Sequence, residues 1–212
     1  MIPDKKRFEL LHTERLLLRR PTVEDANAIF SSYPTQKDVT KYLLFPPHNS
    51  IQDTLNFIQW SDEQWEKEEG GYNFIICSKA EEGKVIGSVG LNFEGMDGSE
   101  EPKAGFEQKY PAGVARVGYC IAKDEWGRGY ATEACKKIIE LATEVGITKL
   151  VAPVHPDNLA SIRVLEKCGF QEDATAGETL VLPNLGKDKV KLVGLARSLS
   201  LSTPPPTLTW ED

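Results

Sequence analysis

The residues of this chain whose types and spacing suit chemistry form a short turn, Gly127-Arg128-Gly129-Tyr130-Ala131-Thr132, between an apolar run and an amphipathic one. Glycines let a backbone approach an anion closely, and the unpaired N–H groups of a helix start point at it. The helix dipole adds ~0.3–1 kcal/mol for each favourable charge near that end. Thr132 can donate a hydroxyl hydrogen bond to the same ligand, and Arg128 stands beside it as a cation. The chemistry on offer is therefore phosphate or pyrophosphate binding. The turn lacks the Gly-Lys-Ser/Thr ending of a nucleotide P-loop, and also the third glycine and later acid of a dinucleotide site. Taken alone, Gly-x-Gly is equally compatible with a structural turn, so its context decides. No Gly-x-Ser-x-Gly occurs, which leaves a Ser/His/Asp hydrolase without support. Cys77, Cys120, Cys135 and Cys168 form no CxxC pair and read as buried reduced thiols, not as a metal or redox site.

The elements that must position this turn follow from periodicity and punctuation. Residues 15–19 read as a strand ended by Pro21, and Thr22 with Asp25 as the start of a helix. A second helix is expected over 50–67, with Ile51, Leu55, Ile58 and Trp65 on one face. Strands are expected over 73–78 and 85–93, joined by a turn at Glu81-Glu82-Gly83-Lys84. Residues 94–113 form a polar, glycine-rich loop, longer than most inside a compact domain, with the acids Glu94, Asp97, Glu100, Glu101 and Glu107. A strand over 115–121, a helix over 130–145 closed by Gly146, and a strand over 149–154 make a βαβ unit, which implies a parallel pair. A short helix over 160–167 and strands over 179–182 and 190–196 complete the domain. The fold class is mixed α/β, or α+β, with one domain over 10–199 and a Pro-rich disordered tail over 200–212 containing Pro204-Pro205-Pro206.

Size and charge bound the possibilities further. A chain of 212 residues is long enough to bury a substantial core. Its net charge of -7 argues against nucleic-acid binding, which needs a basic face, and suits a cationic acceptor such as an amine. No apolar run is long enough for a membrane span, and residues 1–7 lack a secretory apolar core, so a cytoplasmic protein is expected.

Context resolves the glycine turn. With Asn158, Ser161, Glu166, Lys167, Gly169 and Phe170 downstream, and Thr13-Glu14-Arg15-Leu16-Leu17-Leu18-Arg19 upstream, the chain resembles the GNAT superfamily of acetyl-CoA-dependent N-acetyltransferases. It is most similar to the subgroup related to bacterial enzymes that acetylate ribosomal-protein N-termini. The acetyl-CoA motif is matched by Trp126-Gly127-Arg128-Gly129-Tyr130-Ala131-Thr132-Glu133-Ala134. The resemblance implies a mostly antiparallel sheet flanked by helices, with one splayed parallel pair. It implies that amides of Gly127 to Thr132 bind the pyrophosphate, and that Gly118, Tyr119, Cys120 and Ile121 pair with the pantetheine arm. Asn158 would hydrogen-bond the cofactor near its pantetheine end, with Ser161 one helical turn on. Trp126, next to the turn, reads more as a packing residue than as a platform for adenine.

The implied reaction is direct attack by an amine on acetyl-CoA, the acyl donor, with no metal. It needs a neutral amine, a donor for the oxyanion near residues 119–121, and a proton for the thiolate. Two positions depart from the family pattern: Arg116 stands where many members carry a glutamate, and Leu165 where many carry a tyrosine acid. The remaining catalytic candidates are Glu94, Ser161 and Tyr119, with His155 a weaker one. The amine would enter between the helix over 50–67 and the loop over 94–113. A non-catalytic module that binds acyl-CoA is the alternative; a partner role for the Pro-rich tail and a P-loop enzyme are weaker ones. Peptide, lysine and small-amine acceptors, and a monomer or a homodimer, all fit the sequence.

Overall fold

A computed structural model of the chain describes residues 5–67, 70–93 and 111–200. Glu94 and the acids of the 94–110 stretch lie outside the described residues, as does the tail from 201 with its three prolines.

The chain opens with β1 (Leu10–His12) and β2 (Leu16–Arg19), an antiparallel pair on the edge of the sheet. Thr22 then donates its N–H to the Asp25 carboxylate at 2.8 Å, closing the entry to α1 (Ala26–Ser32) through a 3-10 turn. A one-turn helix that the periodicity does not signal, α2 (Lys37–Thr40), precedes α3 (Ile51–Glu66). Ser50 caps α3 in the same manner, its N–H 3.0 Å from the Asp53 carboxylate. The buried stripe of α3 is Thr54, Ile58, Ser61 and Trp65, whereas Ile51 is exposed. Of the expected face, Ile58 and Trp65 are buried and Leu55 packs on the core from a half-buried position, while the Thr54 hydroxyl lies 2.9 Å from Nδ1 of His48.

Next come β3 (Tyr72–Ser78), β4 (Val85–Asn92) and β5 (Val114–Ile121), each antiparallel to its predecessor. The strand β3 is buried at every position, as expected for a central strand covered on both faces. After the glycine turn, α4 (Tyr130–Glu144) crosses to β6 (Lys149–Val154), which runs parallel to β5. The short α5 (Leu159–Lys167) and β7 (Gln171–Glu172) follow.

The last run differs from its expected form. Instead of one strand over 190–196, β8 (Thr179–Val181) pairs with β9 (Lys189–Lys191) as a separate hairpin. The chain then breaks at the buried Leu192 and re-enters the main sheet as β10 (Val193–Ser198). Leu192 turns into a small cluster with Leu180 and Leu182, which accounts for the break. Gly194 permits the return, since a Cβ there would lie 2.3 Å from the Asp173 carbonyl oxygen and the Gly177 nitrogen.

The eight-stranded sheet has the order β1-β2-β3-β4-β5-β6-β10-β7. One face packs α4 through Ala134, Ile138 and Leu141 against Ala115, Val117, Leu150 and Ala152. The other packs α1 and α3 through Ile29, Tyr33 and Ile58 against Ile75, Cys77 and Cys120. All four cysteines are buried and free. No helix of the described residues is long and apolar enough to cross a membrane.

Candidate active site

The site begins where the parallel pair ends. Strands β5 and β6 are in register only at Val114↔Lys149, Ala115↔Leu150 and Arg116↔Val151. Beyond Arg116, β5 runs on to Ile121 with no partner on that side, so a gap opens between the two strands. The Ala122 N–H donates to the Ile86 carbonyl on β4, and antiparallel alternation then turns the main chain of Cys120 and Gly118 toward β4 as well. The main chains of Tyr119 and Ile121 face the gap. Cys120, expected among the cofactor-pairing residues, thus directs its backbone to β4 and its thiol to the α1–α3 face. Burial pushes that thiol up to about 11. The Ile121 carbonyl is already taken by the Trp126 indole N–H at 2.7 Å. Trp126 is otherwise half exposed, so it anchors the turn by its edge and leaves its ring face open.

The glycine turn closes one end of the gap. Gly127 and Gly129 have φ of 77° and 82°, a left-handed conformation that glycine adopts without a steric penalty. Among the described residues, no backbone carbonyl accepts a well-aligned hydrogen bond from the N–H groups of Gly127 to Thr132, which leaves them available to a ligand. Trp126 to Gly129 are exposed, Tyr130 is buried, and Ala131 and Thr132 are intermediate. Arg128 does not reach outward freely; its guanidinium lies 3.0 Å from the buried Glu125 carboxylate, a charge contact without hydrogen-bond alignment. Glu125 also accepts from the Lys84 ammonium at 2.9 Å.

Arg15 and Glu133 brace the turn from behind, a role that the sequence reading missed. Arg15 donates to the Arg128 carbonyl at 2.9 Å, and its guanidinium lies 4.7 Å above the Tyr130 ring. Glu133, in the first turn of α4, accepts from the Thr13 hydroxyl at 2.6 Å, the Arg15 N–H at 2.8 Å and the Arg15 guanidinium at 2.7 Å. Partial burial would raise its pKa, but these three donors outweigh that and hold the carboxyl below its ordinary value. Both residues sit inside motif segments, but 118 positions separate them, so nothing local signals the pairing.

Two of the three catalytic candidates meet at the gap. The Tyr119 hydroxyl lies 3.0 Å from Oγ of Ser161 and 3.2 Å from the Ser161 carbonyl oxygen. Burial raises the Tyr119 phenol well above its ordinary range, and the Ser161 contact opposes this only in part, so the phenol keeps its proton at neutral pH. Asn158 caps α5, its Oδ1 accepting the Ser161 N–H at 3.2 Å. The cap fixes Ser161 and leaves the Nδ2 group of Asn158 to donate elsewhere. Glu94 lies outside the described residues.

The opposite face of β5 has a different lining. Arg116, Gly118 and Cys120 alternate onto the α1–α3 side, and a Cβ on Gly118 would meet no described atom within 4 Å. Arg116 reaches Glu178 at 3.3 Å, just before β8. The place where a glutamate is expected on β5 therefore carries an arginine that brings in a carboxylate from elsewhere in the chain. Only the fold shows this, since Glu178 lies 62 positions away. The weaker candidate His155 follows β6; it stacks on Tyr42 at 4.7 Å, and its Nδ1 accepts the Asp157 N–H at 3.1 Å. That contact places the neutral ring's proton on Nε2. Among the described residues no group of acids, histidines or cysteines could hold a metal ion.

Comparison with known proteins assigns this architecture. Residues 15–171 match the acetyltransferase (GNAT) domain family. The uncharacterised N-acetyltransferase p20 of Bacillus licheniformis is 30% identical over 168 residues, which is 78% of this chain and 84% of p20. The structure of RimL, a ribosomal L7/L12 alpha-N-protein acetyltransferase in complex with coenzyme A, superposes with a TM-score of 0.71 at 16% identity, covering 92% of this chain and all of that one (100%). The spermidine N-acetyltransferase of Vibrio cholerae, in complex with CoA and spermine, gives a TM-score of 0.64 at 18% identity over 88% of this chain and 96% of that one.

Proposed function

This chain belongs to the GNAT acetyltransferase family, and from that premise we propose that it transfers the acetyl group of acetyl-CoA to a primary amine by direct attack in a ternary complex. The observation that carries the reading is the gap beyond Arg116, an open strand edge that leads to a glycine turn and helix start whose amides make no well-aligned backbone hydrogen bond among the described residues. An edge of this kind accepts an extended amide-bearing arm as an added strand, and the helix start accepts a pyrophosphate. The coenzyme A in RimL and in the spermidine enzyme supports the same donor here. In this arrangement the pyrophosphate rests on Gly127 to Thr132, and the pantetheine amides pair with the Tyr119 carbonyl and the Ile121 N–H, which leaves the Tyr119 N–H for the reacting carbonyl.

The chemistry is assigned as follows. The amine attacks the thioester carbonyl, and the Tyr119 N–H, facing the gap, stabilises the oxyanion. Collapse breaks the C–S bond and leaves a thiolate. Ser161 gives its hydroxyl proton to that sulfur while accepting one from Tyr119, and the phenol, whose burial disfavours the anion, regains a proton from solvent as the thiol leaves, so the pair works as a short relay. The amine proton goes to Glu178, oriented by Arg116, directly or through water. An acceptor is drawn toward the same carboxylate as a cation, in keeping with the net charge of -7.

Thiol release from acetyl-CoA, followed over a panel of peptides, polyamines and small amines, tests this reading. Release with at least one amine class is expected, and Glu178→Gln should lower acceptor kcat/KM by ~10²–10⁴-fold while coenzyme A affinity holds. Glu94→Gln, run in parallel, would take that loss instead if the base lies in the 94–110 stretch. Silence across the whole panel, with coenzyme A still bound, would identify a ligand-binding module that does not turn over.

A further inference from the structure

The residues from Gln36 to Phe45 cross the open end of the gap on the α1–α3 face. At the β5 end, the Gln36 side-chain oxygen accepts the Lys123 N–H at 2.9 Å, and Asp38 pairs with the Lys123 ammonium. At the β6 end, Tyr42 stacks on His155. The segment is thus a bar laid from one splayed strand to the other, with α2 as its middle. Helix α2 is a single turn, too short to hold itself in place.

A third clamp comes from a distant part of the chain. Asn184, in the loop between β8 and β9, points its Nδ2 group at the carbonyl oxygens of Thr40 at 2.7 Å, Phe45 at 2.9 Å and Leu43 at 3.5 Å. Its two protons are shared among carbonyls at and just beyond the end of α2, where the helix stops and only that of Thr40 also accepts a backbone N–H, from Leu43 at 2.8 Å. Leu44 packs beside it against Leu180, Leu182 and Leu192 of the hairpin cluster. The base of that hairpin carries Glu178, bound to Arg116 on β5. The contacts therefore close a ring around the open floor at Gly118: β5, Arg116, Glu178, the hairpin, Asn184, the bar, Tyr42, His155 and β6.

We propose that Asn184 is a positioning residue that locks this ring and so sets the aperture through which the acceptor amine reaches the thioester. The inference rests on the acetyltransferase reading above and adds what governs acceptor choice. A side chain with the same shape but no donor should release the bar. Asn184→Asp is that change, since a carboxylate would face three carbonyl oxygens with nothing to give them.

The test pairs a kinetic arm with a structural one. For Asn184→Asp we expect acceptor KM to rise about tenfold for the preferred amine, with kcat and acetyl-CoA affinity held within about twofold. Discrimination between slender and branched amines should fall, and Asn184→Gln, which keeps the donor, should recover part of both. Amide hydrogen exchange over residues 41–48 should accelerate in the Asp variant and not over α4. Unchanged exchange together with unchanged selectivity overturns the proposal, and so does a parallel loss of donor and acceptor binding, which would mark a general structural defect. A wild-type protein that releases no thiol with any amine counts against acetyl transfer. Exchange over 41–48 then decides the lock by itself, with no change in the Asp variant overturning it.

Discussion

On the α4 side of β5, the amides on offer come from one stretch of chain, residues 127–132, none of which makes a well-aligned backbone hydrogen bond among the described residues. On the other side the walls come from Gln36 to Phe45, Arg116, His155, Glu178 and Asn184, joined by contacts that each use at least one side chain. The first region is a backbone conformation, set by two left-handed glycines and a helix start. The second is a set of clamps, each made by one or two groups that substitution can remove. A backbone site suits the half of a reaction that stays the same, the donor. A side-chain site can be re-cut for a new acceptor without disturbing the donor half. The two regions should therefore fail separately, and substitutions can show whether they do.

The largest separation is expected at Gly129. A β-branched residue there must hold φ near 82°, and its Cβ would already lie 3.5 Å from the Arg15 guanidinium. Gly129→Val should turn several amides away from the pyrophosphate and weaken coenzyme A binding by on the order of 100-fold, since a hydrogen bond to a charged group contributes ~1.5–3 kcal/mol. Isothermal titration with coenzyme A measures this directly. Acceptor KM at saturating acetyl-CoA should barely move. A matching rise in acceptor KM would mean that the two regions are coupled and the comparison is wrong.

The same contrast explains what could be read from the sequence. The strand–turn–helix at 115–145 has a period of 2, two glycines and a period of 3.6 in succession, so local rules locate it. Asn158 and Ser161 are three apart on one helix, and their contact needs no tertiary information. Glu178 and Asn184 carry no such signal. Their partners lie 62 and up to 144 positions away, and a glutamate before a short strand or an asparagine in a hairpin loop looks like ordinary surface chemistry. The split of the 190–196 run was hidden for a related reason. Alternation predicts a strand but not which sheet it joins, and the burial of Leu192 in the hairpin cluster decides that.

Tyr119 sits at the seam between the two regions, so its removal should change neither binding step. Tyr119→Phe keeps the ring against the core and deletes only the hydroxyl that meets Ser161. In the proposed relay Ser161 can still protonate the thiolate but is not re-supplied, so kcat should fall by roughly tenfold, less than the ~10²–10⁴-fold usual for losing a proton-transfer group outright. Both Michaelis constants should hold. Single-turnover rates separate this from slower product release. A change confined to KM for either substrate would move Tyr119 out of the relay and into a binding wall.

The smallest effect is expected behind the turn, at Glu133. Its carboxylate ties α4 to the β1–β2 connection through Thr13 and Arg15, yet the amides of the turn do not depend on its charge. Arg15 also keeps its own contact to the Arg128 carbonyl. Glu133→Gln should therefore cost only about 1 kcal/mol of stability near neutral pH, because Arg15 is partly exposed and the pair is screened. Because the folded-state pKa is held below its ordinary value, the contribution is fully present above the usual carboxylate range. It is lost as pH falls through the folded value, when the wild type is protonated as well. Urea unfolding at about pH 7 and at about pH 3 should show the gap between the two proteins closing on acidification. A gap that persists in acid would place the cost in packing of the side chain, and the brace would then be steric and not electrostatic.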